Sequence, residues 1–320
     1  MSRIFTAFLV ILTLGYLQAQ AATSNGFNLD NASIPIAEIF SGGPPKDGIP
    51  AINHPKFVSI KDATFLHNED RIIGVIINNV ARGYPIKILN HHELVNDRIG
   101  DQSFTVSYCP LCGTGMVFTT NFGANENGNA RIFGVSGLLY NSDVLLYDRS
   151  TLSLWSQIMK EAISGKLKGQ KLTQIPALHT NLAEWKEKHP ESEILSIDTG
   201  FHRNYNRSAY QGYERSRQIW FEVSQKAPQN YHPKEQVMGV EVNGMFKAYP
   251  FIELSKQGKT SFTDELNGLK INIQWNESSR SASVQSDKGI TLNSTVAYWF
   301  AWFTFHPETL IFTAAENRNY

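Results

Sequence analysis

Residues 74–79 read GVIINN and lead to a Tyr-Pro pair at 84–85, and residues 239–244 read GVEVNG and lead to a Tyr-Pro pair at 249–250 with the same spacing. In each stretch, a strand-like run of apolar and β-branched residues precedes an Asn-Asn or Asn-Gly pair. Such pairs tolerate the positive φ angles of a tight hairpin turn. The sequence therefore predicts two β-hairpins of the same design.

The similarity extends past the hairpins. Residues 86–95 and 251–256 are typical of short helical segments, and a further strand is predicted at residues 104–108 and at residues 269–273. One constant offset relates all of these segments, which indicates an internal duplication. Two unrelated hairpins that share common turn residues are the alternative.

A long insert rich in Val, Leu, Tyr and Gly lies between the two copies. Residues 133–140 and 144–148 predict two strands around a turn at 141–143, and residues 181–189 predict a short helix that ends before Pro190. We therefore expect an α+β, mostly β fold that consists of two related β units and a mixed α/β insert.

The first 21 residues have the features of a secretory signal peptide. Arg3 supplies a positive charge, residues 4–17 are mostly apolar, and residues 19–21 read AQA, a small-x-small cleavage site. The apolar run is shorter than the roughly 20 residues that span a bilayer. We expect an exported protein, periplasmic or extracellular, with no stable membrane anchor after cleavage.

These segments predict four regions along the chain. We expect a signal peptide at residues 1–21, an irregular N-terminal segment at 22–50, a first β unit with two cysteines and the insert at 51–230, and a second β unit without cysteine at 231–320.

The composition limits the class of partner. The chain of 320 residues is 42% hydrophobic, which is enough for a buried core, and it has 29 basic and 29 acidic residues. Because no basic field exists to hold phosphates, nucleic acid is excluded as a partner. A metal ion or a small molecule is the expected partner.

Two cysteines carry the most informative motif. Residues 108–116 read YCPLCGTGM and contain Cys109 and Cys112, which are the only cysteines of the chain. This spacing occurs at helix N-termini in thioredoxin-like enzymes and on tight turns between strands in metal-binding knuckles. Gly-Thr-Gly after Cys112 is a poor helix start, so we place the motif on a β-turn, which favours the knuckle.

The duplication makes the cysteines distinctive. At the constant offset, Cys109 matches Gln274 and Cys112 matches Glu277 in the second copy. A shared scaffold therefore does not explain the cysteine pair, and a function of the first copy does.

A tetrahedral metal site needs more donors than two sulfurs. His92 is the leading candidate for a third ligand, and thiolates with imidazole suit copper or zinc. An open fourth position would permit catalysis or metal delivery. Further residues that could lie near the site are Glu93, Met116 (a soft ligand for Cu(I)), Tyr140, Arg149 and Trp155.

Two other functions remain open. The cysteine pair could cycle between dithiol and disulfide, with an exposed Cys109 as the attacking thiol. Alternatively, a local disulfide could pin a turn in a non-enzymatic binding scaffold. The sequence contains no G-x-S-x-G, P-loop or H-E-x-x-H motif, so it leaves open whether the protein is an enzyme.

The sequence around these motifs resembles an exported bacterial family known only as domain of unknown function 3179. The resemblance extends from about residue 48 to the C-terminus and rests on residues 84–85, 90–97, 108–114, 133–142, 147–149 and 154–157. The family often has Trp where this sequence has His91, so the resemblance implies that His92 is the corresponding histidine. The family name implies no established activity.

Overall fold

The computed structural model describes residues 23–122 and 130–314. The signal peptide predicted at residues 1–21 lies outside the described residues and stays a prediction. Within the described residues, strands greatly outnumber helices, which confirms the α+β, mostly β class.

The strands are short and follow one another closely. In chain order they are β1 (Thr23–Ser24), β2 (Phe27–Asn28), β3 (Ile39–Ser41), β4 (Phe57–Ser59), β5 (Arg71–Ile77), β6 (Val80–Pro85), β7 (Leu94–Ile99), β8 (Gln102–Cys109), β9 (Thr114–Thr119), β10 (Phe133–Tyr140), β11 (Asp143–Asp148), β12 (Leu154–Ser156), β13 (Glu161–Ser164), β14 (Gln174–Ile175), β15 (Ala177–Asn181), β16 (Glu193–Leu195), β17 (Gln236–Val242), β18 (Met245–Pro250), β19 (Ser261–Leu266), β20 (Leu269–Asn276), β21 (Ser281–Ser286), β22 (Ser294–Tyr298) and β23 (Leu310–Ile311).

The α-helices of the described residues each have seven residues: α1 (Ile86–His92), α2 (Leu182–Lys188), α3 (Phe251–Gln257) and α4 (Trp299–Phe305). Short 3₁₀ helices span Ile36–Glu38 and Tyr213–Arg215. Helix α2 begins where Asn181 caps the N–H of Glu184, as the sequence predicts for that segment. Among the described residues, no helix is long and apolar enough to cross a membrane.

Three larger sheets form most of the structure. One has the order β23-β18-β17-β22-β9-β8-β7 with β14 added to β9, the second has the order β15-β5-β6-β16-β4, and the third has the order β13-β12-β11-β10-β3. Strands β19, β20 and β21 form a smaller sheet, and β1 pairs with β2. The segment at residues 22–50 is predicted to be irregular, but it contains three short strands. The last of them, β3, extends the sheet of the insert beside β10.

The two predicted hairpins are present and are completed in the same way. β5–β6 and β17–β18 are antiparallel pairs, and each is followed by a short helix that begins directly after the Tyr-Pro pair. An antiparallel strand then adds to the first strand of each hairpin, and a parallel strand adds to the second: β15 and β16 in one unit, β22 and β23 in the other. This matching order is what a duplication predicts, and the duplication itself stays a prediction.

The prediction that one constant offset relates the two copies is wrong beyond helices α1 and α3. Only Glu93 separates α1 from β7, whereas residues 258–260 separate α3 from β19. Helix α3 ends on Gly258 in a left-handed conformation and the chain then continues for two more residues before the strand. In this register the hairpin pair Cys109–Thr114 corresponds to Asn276–Ser281, so the match of the cysteines with Gln274 and Glu277 is incorrect.

A tryptophan packs on a glycine at the centre of each unit. A Cβ atom on Gly74 would collide with the ring of Trp185 from α2, and one on Gly239 would collide with the ring of Trp302 from α4. Glycine is therefore required in both hairpin strands by the close approach of an indole ring rather than by backbone conformation.

The substitution Gly74→Ala is expected to destabilise the protein by at least about 2 kcal/mol, because the methyl group overpacks a fully buried contact. Denaturant unfolding measures this, with Ser261→Ala at an exposed strand position as the control. Gly74→Ala should cost less in a Trp185→Leu background, which opens space at the same contact. Equal costs in both backgrounds would contradict the proposed steric origin.

The carboxylate of Glu184 joins the two units. It accepts hydrogen bonds from Ser279, at 2.6 Å, and from Ser281 in the second unit, and it also contacts Thr180 and the ammonium group of Lys188 in the first. Burial alone raises the pKa of Glu184, but these hydrogen bonds outweigh it and lower the pKa to about 2. The ionised form is therefore the one that stabilises the contact between the units.

The free energy of unfolding should depend on pH through Glu184. Because its pKa in the folded state lies below the ordinary value of 4.5, its contribution is complete above about pH 5 and is lost as the pH falls toward 2. We expect Glu184→Gln to cost about 2–3 kcal/mol at pH 7 and progressively less toward pH 2.5. Urea unfolding across this range measures the difference, with the exposed Glu187→Gln as the matched control. A cost that does not vary with pH would contradict this assignment.

Candidate metal centre

The two cysteines lie on a hairpin turn between strands. Cys109 ends β8, Thr114 begins β9, and the two residues pair across the hairpin. Gly113 completes the turn with a positive φ of 60°, a conformation that glycine adopts without steric cost. The predicted strand-to-strand turn is confirmed, and no helix begins at the motif.

A second hairpin from the insert packs beside the first. Strands β10 and β11 are joined by Asn141 and Ser142, which have φ angles of 52° and 63°. These angles correspond to a tight two-residue turn, at the place that the sequence predicts. The carbonyl oxygen of Ser142 lies 3.6 Å from the sulfur of Cys109, so Asp143, which follows it, begins β11 next to the cysteine turn.

The two turns bring three possible metal ligands together. The sulfur atoms of Cys109 and Cys112 and a carboxylate oxygen of Asp143 all lie within 4.8 Å of one another. The two cysteines are free thiols, and their exposed fractions are 1% and 0%. Both sulfurs are therefore inaccessible from solvent in this conformation.

Burial controls the protonation of these groups. Burial raises the pKa of both thiols. It also raises the pKa of Asp143 to about 7, although hydrogen bonds from the N–H groups of Ile158 and Val144 and from the two thiols lower that pKa. The Oδ2 atom of Asp143 accepts a hydrogen bond from Ile158 at 3.1 Å, whereas Oδ1 has no hydrogen-bond partner of standard geometry among the described residues. Burial therefore disfavours the charged form of each of the three groups when no cation is present.

His92 lies outside this group, and the structure gives Asp143 in its place as the third possible ligand. The Nδ1 atom of His92 lies 2.7 Å from the carbonyl oxygen of Pro50, and its Nε2 atom lies 2.8 Å from the hydroxyl of Tyr205. Burial lowers the pKa of His92 to about 4. The imidazole is thus neutral and occupied with fixing α1 to two loops.

Glu93 interacts electrostatically with Asp143 and with Cys109. Its backbone is left-handed, with φ 57°, and its side chain lines a cavity of about 210 Å³ together with Leu111 and Val144. Burial, and then the charge of Asp143, raise the pKa of Glu93 to about 8, and Glu93 in turn acts on Cys109. Its part in a site stays a prediction.

The contacts of the other predicted neighbours are mostly apolar, and their part in a site stays a prediction. Met116 belongs to the same buried apolar cluster as the cysteines, and Trp155 packs there while its indole N–H donates to Asp148 at 3.1 Å. Tyr140 is half-buried and contacts the ring of Phe305.

The contacts of Arg149 lie away from the ligand group. Its guanidinium forms an ion pair with Asp47 at 2.7 Å and donates to the hydroxyl of Tyr147 at the same distance. We find no contact of Arg149 with the cysteines among the described residues.

The comparisons with known proteins identify a family and no function. A family model described as Protein of unknown function (DUF3179) matches residues 46–291, which is most of the chain. No curated protein and no solved structure matches this chain significantly.

Proposed function

This chain belongs to the DUF3179 family, and we propose that it binds a zinc or copper ion through Cys109, Cys112 and Asp143. The observation that carries the proposal is the group of three possible ligand atoms within 4.8 Å of one another in the protein interior.

The spacing of the donors fits a metal ion after small side-chain rotations. Zinc holds sulfur at about 2.3 Å and carboxylate oxygen at about 2.0–2.2 Å, which places tetrahedral ligands about 3.5–3.8 Å apart. Three protein ligands leave a fourth position for water or a substrate. The carboxylate favours zinc, whereas the two thiolates alone would suit Cu(I).

The chemistry of the surroundings supports a cation. Three acidic groups share a buried pocket, and burying unpaired polar groups costs free energy. A metal ion would stabilise the ionised form of each of them, and it would also engage the carboxylate oxygen of Asp143 that lacks a standard hydrogen bond. A scaffold function alone does not explain why an acid lies beside the cysteine pair.

Burial weighs against thiol redox chemistry as the main function. A reactive cysteine needs an accessible sulfur and a lowered pKa. Here both sulfurs are buried and the pKa of each thiol is raised.

We also propose that the protein is exported, on the basis of residues 1–21. Exported proteins meet oxidising conditions, in which two adjacent thiols readily form a disulfide. A bound metal ion would keep the cysteines of this chain reduced.

Elemental analysis of the purified protein, combined with a thiol count, tests the metal site. We expect close to one zinc or copper ion per chain, and two thiols that react only after chelation or unfolding. Cys109→Ser with Cys112→Ser should abolish metal binding, and Asp143→Asn should weaken it by at least about tenfold because the ligand charge is lost.

His92→Gln is the matched control, because His92 is hydrogen-bonded to Pro50 and Tyr205 and is not one of the three possible ligands within 4.8 Å of one another. It should retain the metal. Loss of metal in His92→Gln with retention in Asp143→Asn would restore the ligand set predicted from the sequence. A metal-free protein with no free thiols would support a structural or redox disulfide instead.

A further inference from the structure

A large cleft lies between the two β units, beside the cysteine turn. Its volume is about 940 Å³, which is the size of small-molecule sites in proteins. Residues of both units line it, including the loop at residues 206–215. Tyr108, Pro110 and Gly113 of the cysteine hairpin form part of the wall.

Arg71 is the distinctive charge in this cleft. Its guanidinium donates to the carbonyl oxygens of His179, Ser279 and Arg280. It has no carboxylate within 4.0 Å among the described residues, and the charge of Glu184 acts on it from a greater distance. These three hydrogen bonds leave two of its five N–H groups for another partner. Burial lowers the pKa of Arg71 to about 10, so it remains a cation at neutral pH.

Three tyrosines line the same cleft as Arg71. Tyr108 interacts electrostatically with Arg71, Tyr210 and Tyr298. The hydroxyls of these three tyrosines hydrogen-bond to no other side chain or backbone group in the described part of the chain. A phenolic hydroxyl is a good donor to an anion, so the three tyrosine hydroxyls and the two remaining N–H groups of Arg71 form a set of donors for an anion in the cleft.

The remaining charges of the cleft are largely paired or occupied. Lys234 donates to the carbonyl oxygens of Ser216 and Gln218 and lies over the ring of Tyr213. Arg215 lies 3.4 Å from Glu214. Arg280 lies 3.9 Å from Glu235. Arg71 and Lys234 are therefore the cations of this cleft without a carboxylate within 4.0 Å among the described residues, and Arg71 is the one that interacts with Tyr108.

We propose that the cleft binds the oxyanion group of a polar small molecule, a carboxylate or a phosphate, with Arg71 as its charge partner and with Tyr108, Tyr210 and Tyr298 as hydroxyl donors. Amide side chains in the same wall, such as Asn90, Asn181 and Gln236, suit hydroxyl groups on the remainder of the ligand. This inference does not depend on a metal ion at the cysteines.

A structural role for Arg71 is the competing explanation. The residue ties the first unit to the turn before β21, so it could serve only to satisfy carbonyl groups there. The tyrosine hydroxyls separate the two explanations, because they have no such structural partner.

Binding is measured on the full chain by thermal shift and calorimetry with three probes: glucuronate, inorganic phosphate and glucose. We expect saturable binding of glucuronate or phosphate and none of glucose, which has the size of glucuronate but no charge. The tighter of the two anions identifies the carboxylate or the phosphate as the group recognised.

Tyr298→Phe and Tyr210→Phe remove only a hydroxyl and should leave the melting temperature of the free protein unchanged. Each should weaken anion binding about tenfold, the usual effect of a hydrogen bond to a charged group. Arg71→Gln should weaken it about a hundredfold, and the exposed Arg98→Gln is the charge-matched control that should bind normally.

Three results would overturn the proposal. Glucuronate and phosphate could fail to bind, or they could bind equally well to Tyr298→Phe, Tyr210→Phe and Arg71→Gln. Alternatively, binding could disappear when Cys109 and Cys112 are both replaced by Ser, which would show that the anion binds to a metal ion at the cysteines instead. Retained binding in that double variant together with absence of metal would separate this proposal from the proposed function.

Discussion

Strand β22 holds the two β units together. It pairs with β17 of its own unit on one side and, through Val296 and Gly115, with β9 of the other unit. At its end, the N–H of Tyr298 donates to the carbonyl oxygen of Cys112 at 2.7 Å. Because the second unit fixes the turn that carries the sulfurs, both the ligand group and the cleft depend on this strand.

The sequence predicts the parts of the fold that local chemistry determines. Asn-Asn and Asn-Gly pairs specify the two hairpins, and Asn181 and Pro190 mark the ends of a helix, so these elements are found where they are expected. The register beyond α3 could not be predicted, because two additional residues in a loop leave no pattern. Nor could the pairing of β22 with β9, since nothing in either strand specifies a partner so distant in the chain.

In the candidate site, too, local features can be predicted from the sequence and long-range packing cannot. Gly-Thr-Gly after Cys112 correctly places the cysteines on a turn between strands, because glycines disfavour a helix at that point. The sequence places Asp143 only in a turn, since its approach to the sulfurs results from the packing of two separate hairpins. One signal was available: Asp143 is an acid that starts a strand whose other residues are nearly all apolar.

Neighbouring residues of β8 serve the two proposed sites. Tyr108 lines the cleft, whereas Cys109 belongs to the apolar cluster on the other side, because successive side chains of a strand point to opposite faces. A metal ion at the cysteines and an anion in the cleft would then be separated by the thickness of one polypeptide backbone. If occupancy of one site shifts this strand, thermodynamic linkage requires each ligand to change the affinity of the other by the same factor.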